Sequence, residues 1–352
     1  GFYVTDGTSE GTLLLHPTKT RPFVFKDKFY FSSFNPDQGI DIWRSDGTTE
    51  GTQLLVTISN FSGFHPAGDK FFINTFTEFW VSDGTSEGTT LVKELDSGYS
   101  YTGEYVYYKD KLYFKADDDV HGEELWTSDG TTEGTRMLVD IVRGEDDARI
   151  ENLVVVGDLL YFTAENTRPY RQLWRTDGTA AGTYPVTEFE TTYGNRRIEA
   201  VTPAFGDIFF EFGEKLWRYD PQENQTTLVA NHLEIVNMVF AYDKLFFTIR
   251  SGEQKVLWMS EGTEATSQPL LPSHTNSIQQ MLPLGSGIAF MASSGEYGWE
   301  AWFSRGTFAE TYMINDIYEG HEGAYPINFV KYKGRVLFLA TNKKNGRSIF
   351  QT

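Results

Sequence analysis

Consecutive carboxylates form the densest group of potential metal ligands in the sequence. Asp117, Asp118 and Asp119 follow one another, and His121 comes two residues later. Hard cations such as calcium prefer carboxylate oxygens supplied by a short loop. The favoured interpretation is nevertheless a solvated acidic loop in which aspartate acts as a turn former, so no cofactor is predicted. Calcium is the alternative, with the three aspartates as its candidate ligands.

A second group of candidates consists of aromatic and arginine side chains inside polar segments. Such side chains are enriched where proteins bind partners, and exposed rings also stack on sugars. The alternative is packing of one loop against another. The candidate partner-binding residues are Tyr99, Tyr101, Tyr170, Tyr193, Arg196, Tyr297, Trp299 and Tyr318.

No recognisable hydrolytic site is present. The sequence has no HExxH or P-loop pattern, and its zero cysteines exclude thiol catalysis and cysteine-based zinc sites. GxSxG occurs as GTSEG at residues 7–11 and 84–88, but both copies lie in the decapeptide turns between two predicted strands, not in the strand–turn–helix elbow of a serine hydrolase. We therefore assign no catalytic residue and predict a protein that is not an enzyme. A glycosidase needs only two suitably spaced carboxylates, so a polysaccharide hydrolase or lyase stays open as an alternative.

Composition excludes several kinds of partner. The 352 residues carry a net charge of −19, which disfavours nucleic acid and anionic lipid. No apolar run approaches the length of a membrane span, so direct membrane insertion is not expected. The chain begins with Gly1 inside a repeat, which suggests a processed or excised polypeptide.

An acidic, glycine-containing decapeptide recurs along the whole chain. WRSDGTTEGT begins at Trp43, WTSDGTTEGT begins at Trp126, and degraded forms continue beyond them. Each unit contains four short runs of aromatic and β-branched residues separated by turn signals. The spacing of the aromatic anchors, about 43 residues, is typical of propeller blades. The anchors are Tyr3, Trp43, Trp80, Trp126, Trp174, Trp217, Trp258, Trp302 and Phe350.

This periodicity predicts an all-β fold, an eight-bladed β-propeller of four-stranded antiparallel blades. The last unit stops in its third strand, whereas the chain opens with a turn and a fourth strand. We therefore expect residues 1–15 to pair with the C-terminal blade, residues 327–352, and so to close the ring. Closure would remove two open sheet edges. Residues 1–352 then form a single domain.

The decapeptide itself has two interpretations. Asp46-Gly47 is a strong turn signal, because glycine accepts positive φ and aspartate caps nearby backbone N–H groups. In the seventh unit Arg305 replaces the acid while the turn residues persist, which favours a structural role. The alternative is a cation bound by the best-preserved copies, such as Asp46 with Glu50.

The stretch ELWTSDGTTEGT, residues 124–135, resembles the ELWxxDGTxxGT repeat of large bacterial surface and secreted proteins, sometimes labelled hyalin-like. The resemblance is sharp around Trp43, Trp80, Trp126 and Trp174 and blurred around the later anchors. It implies an extracytoplasmic β-propeller, at the cell surface, secreted or periplasmic. It implies no catalytic residues.

Together these features lead to one functional hypothesis with alternatives. The hypothesis is a non-enzymatic extracytoplasmic propeller that acts as a protein-binding or adhesion module of a bacterial cell-surface or secretion-related assembly. Its contact surface would be the face that carries the long, dissimilar loops. The alternatives are a glycan-binding, lectin-like propeller and a polysaccharide-active enzyme.

Overall fold

The computed structural model describes residues 1–352 except 7, 19, 21, 96–103, 168–169, 190–196, 232–233, 271–274, 333–334 and 352, and except the side chains of residues 167, 170, 275, 276 and 332. Regular structure in this part of the chain is β-strand, with two 3-10 turns at Glu264–Thr266 and Phe308–Glu310. Within the described residues, no helix is long and apolar enough to cross a membrane.

The chain divides into two compact units, Gly1–Pro185 and Val186–Thr352, and each is described by itself. The first unit contains strands β1 (Phe2–Val4), β2 (Leu13–His16), β3 (Phe23–Phe25), β4 (Lys28–Asn35), β5 (Gly39–Ser45), β6 (Gln53–Ile58), β7 (Gly63–Ala67), β8 (Lys70–Asn74), β9 (Glu78–Ser82), β10 (Thr90–Glu94), β11 (Tyr105–Tyr108), β12 (Lys111–Ala116), β13 (Glu124–Ser128), β14 (Arg136–Val139), β15 (Glu151–Val156), β16 (Leu159–Thr167), β17 (Tyr170–Thr176) and β18 (Tyr184–Pro185).

The second unit continues the same pattern. It contains β19 (Glu199–Ala204), β20 (Asp207–Glu211), β21 (Lys215–Asp220), β22 (Gln225–Asn231), β23 (Ile235–Ala241), β24 (Lys244–Ser251), β25 (Gln254–Ser260), β26 (Gln268–Pro269), β27 (Thr275–Leu284), β28 (Gly287–Ser294), β29 (Gly298–Ser304), β30 (Thr311–Asn315), β31 (Ile327–Tyr332), β32 (Arg335–Asn342) and β33 (Gly346–Gln351).

Consecutive strands pair into antiparallel sheets. In the first unit β1 and β2 pair with each other, and four four-stranded sheets follow, from β3–β6 to β15–β18. In the second unit three four-stranded sheets run from β19–β22 to β27–β30, and β31–β33 form a three-stranded sheet within the described residues. The predicted all-β fold of four-stranded antiparallel sheets is confirmed.

The aromatic anchors occupy one register position throughout. Trp126 pairs with Phe114 on the second strand and with Met137 on the fourth, and a β-bulge precedes the second pairing. Tyr3 pairs with Leu14 in the same way, so β1 and β2 correspond to the third and fourth strands of the other sheets. The predicted repeat unit is therefore confirmed strand by strand.

The core consists of apolar clusters formed by residues of successive sheets. One of them contains Phe72 and Phe79, whose rings lie 4.9 Å apart, together with Phe114, 4.6 Å from Phe79. Such stacked aromatic pairs bury large areas and fix how one sheet packs on the next. Phe2 of β1 likewise packs on Phe31 of β4 at 4.7 Å.

The finer predictions about architecture stay predictions. They are the pairing of residues 1–15 with the C-terminal blade, the closed ring of eight blades and the single domain of residues 1–352.

Candidate functional site

The decapeptide turns are held by hydrogen bonds within the motif itself. Asp46 Oδ1 accepts the Thr48 N–H at 2.9 Å and the Thr48 hydroxyl at 2.7 Å. The Gly51 N–H then donates to the Thr48 hydroxyl oxygen at 2.9 Å, and the Thr52 hydroxyl donates to the Thr48 carbonyl at 2.7 Å. These bonds hold the pKa of Asp46 below its usual value. The same set recurs around Asp6, Asp83, Asp129 and Asp177.

The second glycine of each decapeptide is required by close approach. A Cβ atom on Gly51 would lie 2.0 Å from Asp46 Oδ1, and the equivalent glycines face their own aspartates at nearly the same distance. The carboxylate is thus packed against the backbone and committed to the turn. This geometry supports the structural interpretation of the decapeptide.

The candidate calcium loop is also stabilised internally. Asp117 Oδ1 accepts the Asp119 N–H at 2.8 Å, and Asp118 Oδ1 accepts the N–H groups of Val120 and His121. His121 Nδ1 lies 2.9 Å from Asp118 Oδ2, and this contact is the main cause that raises the pKa of His121. In the described part of the chain no group of three or more His, Cys, Asp or Glu is arranged to hold a metal. Calcium binding by this loop stays a prediction.

A buried carboxyl pair lies beside this loop. Glu124, at the start of β13, is fully buried, and its Oε1 accepts the Val142 N–H at 2.8 Å. Its Oε2 and Asp140 Oδ1 are buried without hydrogen-bond partners among the described residues. Burial, with a contribution from the Asp140 charge, raises the pKa of Glu124 to about 7. Both charges also raise the pKa of His121, which places the loop next to the pair.

A second pair occupies the same position in the sheet β27–β30. Glu300 is fully buried, and its Oε1 accepts the N–H groups of Tyr318 and Ala324, each at 3.1 Å. Asp316 Oδ1 is buried without a partner among the described residues, and burial is the main cause that raises the pKa of Glu300 to about 7. In both sheets the glutamate precedes the anchor tryptophan by two residues, and the aspartate follows the fourth strand.

The carboxyl pairs connect a strand to the loop that leads to the next sheet. Glu124 binds residue 142 of one such loop, and Glu300 binds residues 317, 318 and 324 of another. At Gly298, with φ +64°, a Cβ would lie 2.5 Å from the Gly323 nitrogen, so the loop backbone crosses directly over the start of β29. Because both glutamates are fully buried and accept N–H groups of the following loop, we call these pairs structural clamps.

Three of the predicted partner-binding residues lie around the second clamp. Tyr297 precedes β29, Trp299 accepts the Ala324 N–H at its carbonyl, and the Tyr318 ring lies 5.1 Å from Lys343 Nζ. Hydrogen bonds to Glu296 and Glu322 raise the pKa values of Tyr297 and Tyr318, respectively. The other candidates are not placed: Tyr99, Tyr101, Tyr193 and Arg196 lie outside the described residues, and Tyr170 is described only as backbone in β17.

A polar cavity lies between the first strands of two neighbouring sheets in the second unit. We call it the amide cavity; its volume is about 480 Å³, and its lining residues are Val236, Asn237, Thr248, Lys255, Ile278, Gln279, Gln280 and Met281. The volume falls within the usual range for ligand pockets. A smaller cavity of about 220 Å³ contains Arg218, but this guanidinium is already paired with Asp207.

Sequence reasoning missed both the clamps and the amide cavity. The clamps could have been found from a sequence pattern. Glu124 begins a Glu–x–Trp pattern that is followed by Asp-Ile at residue 140, and Glu300 begins the same pattern, followed by Asp-Ile at residue 316. The sequence indicates the cavity only weakly: two adjacent glutamines interrupt the alternation of apolar and polar residues expected of a strand.

Comparison with known proteins shows the fold. No protein-family model matches this chain. No curated protein matches its sequence either. Solved structures do match: prolyl endopeptidases at 8% identity, covering 92% of this chain and 54% of theirs with a TM-score of 0.52, and a Mycobacterium tuberculosis puromycin-hydrolyzing peptidase at 9% identity, covering 91% and 57% with a TM-score of 0.51. Puromycin hydrolase matches at 12% identity, covering 92% and 60%, with a TM-score of 0.46.

The matches to the prolyl endopeptidases and to the puromycin-hydrolyzing peptidase, with TM-scores of 0.52 and 0.51, establish a β-propeller-like all-β fold. They also contradict the functional hypothesis drawn from the sequence: the structures that share this fold over nine-tenths of the chain are peptidases, so the expectation of an adhesion module of a cell-surface assembly is wrong. The expectation that the chain is not an enzyme stays a prediction. The chain spans only 54–60% of the length of the structures it matches.

Proposed function

We propose that this chain is a peptidase-associated β-propeller that binds peptide segments and has no catalytic centre of its own. The observation that carries the proposal is the asymmetry of the structural match: peptidase chains share the fold over nearly all of this chain but extend far beyond it. The sequence matches GxSxG at residues 7–11 and 84–88, but the second match lies in the turn between strands β9 and β10 and not between a strand and a helix, as a serine hydrolase nucleophile would.

The proposal makes the ligand a flexible peptide rather than a folded surface partner. Loops and strand ends on a rigid propeller supply polar groups that match the N–H and C=O groups of an extended chain. The catalytic step would belong to a separate hydrolase domain or protein. An extracytoplasmic location stays a prediction from the repeat resemblance.

Peptide binding by the purified chain tests the proposal directly. We expect fluorescein-labelled unstructured peptides of 10 to 15 residues to raise fluorescence anisotropy with Kd values of about 1–100 μM, typical of small transient interfaces. A folded protein with the same label should not bind. Chromogenic peptide substrates should stay intact. No binding at millimolar peptide, or hydrolysis by the chain alone, would overturn the proposal.

We also infer that the sheets form a closed ring of eight blades, in which residues 1–15 complete the sheet of residues 327–352 as one domain. Two observations support this: β1 and β2 have the register of third and fourth strands, and the sheet β31–β33 lacks a fourth strand within the described residues. Because β1 and β33 both have third-strand register, one of them lies outside the four-stranded blade. Hydrogen exchange on β33 provides the test. Removal of residues 1–16 should accelerate exchange there if the ring closes; unchanged exchange would mean that it does not.

A further inference from the structure

The amide cavity is built from strands that depart from regular pairing. On β27, Gln280 and Met281 together oppose the single residue Phe290, which is a β-bulge, and Gln280 has φ +53°. On β23 the register also shifts, between Ile235 and Asn237. Bulges re-aim side chains and concentrate near functional sites.

The bulge exposes the side-chain amides of two adjacent glutamines to solvent. In a regular strand Gln279 and Gln280 would point to opposite faces, yet both are exposed here and both line the cavity. Asn237 adds a third exposed amide from the facing strand. Within the described residues none of these three side chains hydrogen-bonds to another group. Each amide offers two donor hydrogens and an accepting oxygen, the complement of a peptide main chain.

Equivalent bulges occur in three other sheets, and among the described residues only the bulge of β27 has a glutamine at the left-handed position. The corresponding left-handed positions are Asn152 in β15, Ala200 in β19 and Asn328 in β31. Asparagine tolerates this conformation best among residues with a Cβ, whereas glutamine has no such advantage. Since the left-handed bulge recurs in four sheets, it belongs to the repeat, and the feature particular to this cavity is the long amide side chain at that position.

One cation completes the lining. Lys255 on β25 is half-buried in the cavity wall and makes no ion pair with any described residue. Its cross-strand neighbour Arg250, by contrast, is paired with Glu234 at 2.9 Å. In a chain with 49 acidic side chains, an unpaired ammonium inside a polar cavity favours an anionic group on the ligand.

We propose that the amide cavity binds the carboxylate end of an extended peptide, with the Lys255 ammonium on the carboxylate and the amides of Asn237, Gln279 and Gln280 on the main chain. This inference rests on the proposed function, because it names the peptide feature that the propeller recognises. The carboxylate can come from the C-terminus or from a Glu or Asp side chain, and the experiment distinguishes the two.

The experiment compares three peptides of one core sequence without acidic residues: the free acid, the C-terminal amide, and the amide with one added Glu. We expect a peptide that carries the recognised carboxylate to bind about tenfold more tightly than the plain amide, the range of one charge-assisted hydrogen bond. The free acid identifies the C-terminus as the source, and the Glu-containing amide identifies a side chain.

Matched variants locate the effect. Lys255→Met should reduce the affinity of the carboxylate peptide to that of the amide, and Lys255→Arg should retain most of the preference. Lys344→Met, at the exposed turn between β32 and β33, should change nothing. Thermal unfolding of each variant shows that the fold is intact.

Failure of this inference differs from failure of the proposed function. If all three peptides bind equally and Lys255→Met has no effect, the chain binds peptides at another place and the carboxylate assignment is wrong. If no peptide binds at all, the proposed function is wrong as well.

Discussion

Two short-range contacts explain why the decapeptide tolerates so little change at its centre. The Asp46 carboxylate accepts two hydrogen bonds from Thr48 and lies against the backbone of Gly51. No side chain fits at Gly51 unless the carboxylate moves and both bonds break. The second glycine is therefore a steric requirement of the aspartate.

Gly51→Ala should accordingly destabilise the protein by about 2 kcal/mol, since each lost hydrogen bond costs about 1 kcal/mol. Gly295→Ala is the control, because a Cβ there meets no atom within 4 Å and φ is ordinary. Guanidinium unfolding curves measure both. Equal midpoints for the two variants would contradict the close-approach argument.

The clamp glutamates make stability depend on pH in an unusual direction. Their pKa values of about 7 exceed the usual value of 4.5, so the folded state binds more protons than the unfolded state between these pH values. Unfolding free energy should therefore fall as pH rises from about 4.5 to 7, by up to about 3 kcal/mol per site. Below pH 4.5 the glutamates are protonated in both the folded and the unfolded state, so this loss of unfolding free energy is absent.

Glu124→Gln and Glu300→Gln test this dependence. Gln172 occupies the same position in the sheet β15–β18 and, like both glutamates, pairs with an alanine, so a neutral amide fits there. Each variant should flatten the decline in stability between pH 5 and pH 8. Glu50→Gln, at an exposed turn position, should not. Parallel curves for all proteins would show that the clamps do not titrate in this range.

At the scale of strands, the left-handed residue in the bulge of β27 is expected to lower the stability of the fold while it contributes to peptide binding. Gln280→Gly removes the left-handed strain, about 1–2 kcal/mol, at an entropic cost of about 0.5–1 kcal/mol, so it should stabilise slightly. Gln279→Gly, next to it in ordinary strand geometry, should destabilise by about 0.5–1 kcal/mol.

Both variants remove an amide from the cavity, so both should bind peptide more weakly. Asn328→Gly, at the equivalent bulge of β31, should change stability little and binding not at all. Chemical unfolding and anisotropy on the same preparations separate the two effects. If Gln280→Gly is destabilising, the left-handed geometry is not strained.

The sequence predicts the strands well because their signals are local. Anchor aromatics, Asp-Gly turns and alternating apolar residues lie within one unit, and every anchor has the expected register. The clamps depend on where loops beyond the fourth strand return, and short-range patterns do not encode that path. The bulges share no residue type, since Asn, Ala and Gln all occupy the left-handed position.

The difference between local and long-range signals also applies to the predicted site residues. Tyr297, Trp299 and Tyr318 lie around a structural clamp and not at the amide cavity. Asp117 and Asp118 accept N–H groups of their own loop. Their predicted roles in partner and calcium binding stay predictions, because residue type alone does not distinguish a group that binds a ligand from one that holds a turn.

At the scale of the whole molecule, the proposed peptide binding predicts that overall charge governs the association rate and that Lys255 governs the dissociation rate. A net charge of −19 attracts cationic chains over distances up to the Debye length, about 10 Å at 0.1 M salt. A peptide with a basic body and a recognised carboxylate satisfies both the long-range field and the local contact. An acidic peptide satisfies only the second.

Association rates should therefore separate the two peptides. Between about 20 and 500 mM salt, the on-rate of a Lys-rich peptide acid should fall by about tenfold or more, while that of a Glu-rich peptide acid should rise, because screening removes attraction in one case and repulsion in the other. Lys255→Met should raise the off-rates and leave both salt slopes unchanged, since one charge among many barely alters the field. Stopped-flow anisotropy measures both rates. Identical salt slopes for the two peptides would mean that the overall charge does not govern the encounter.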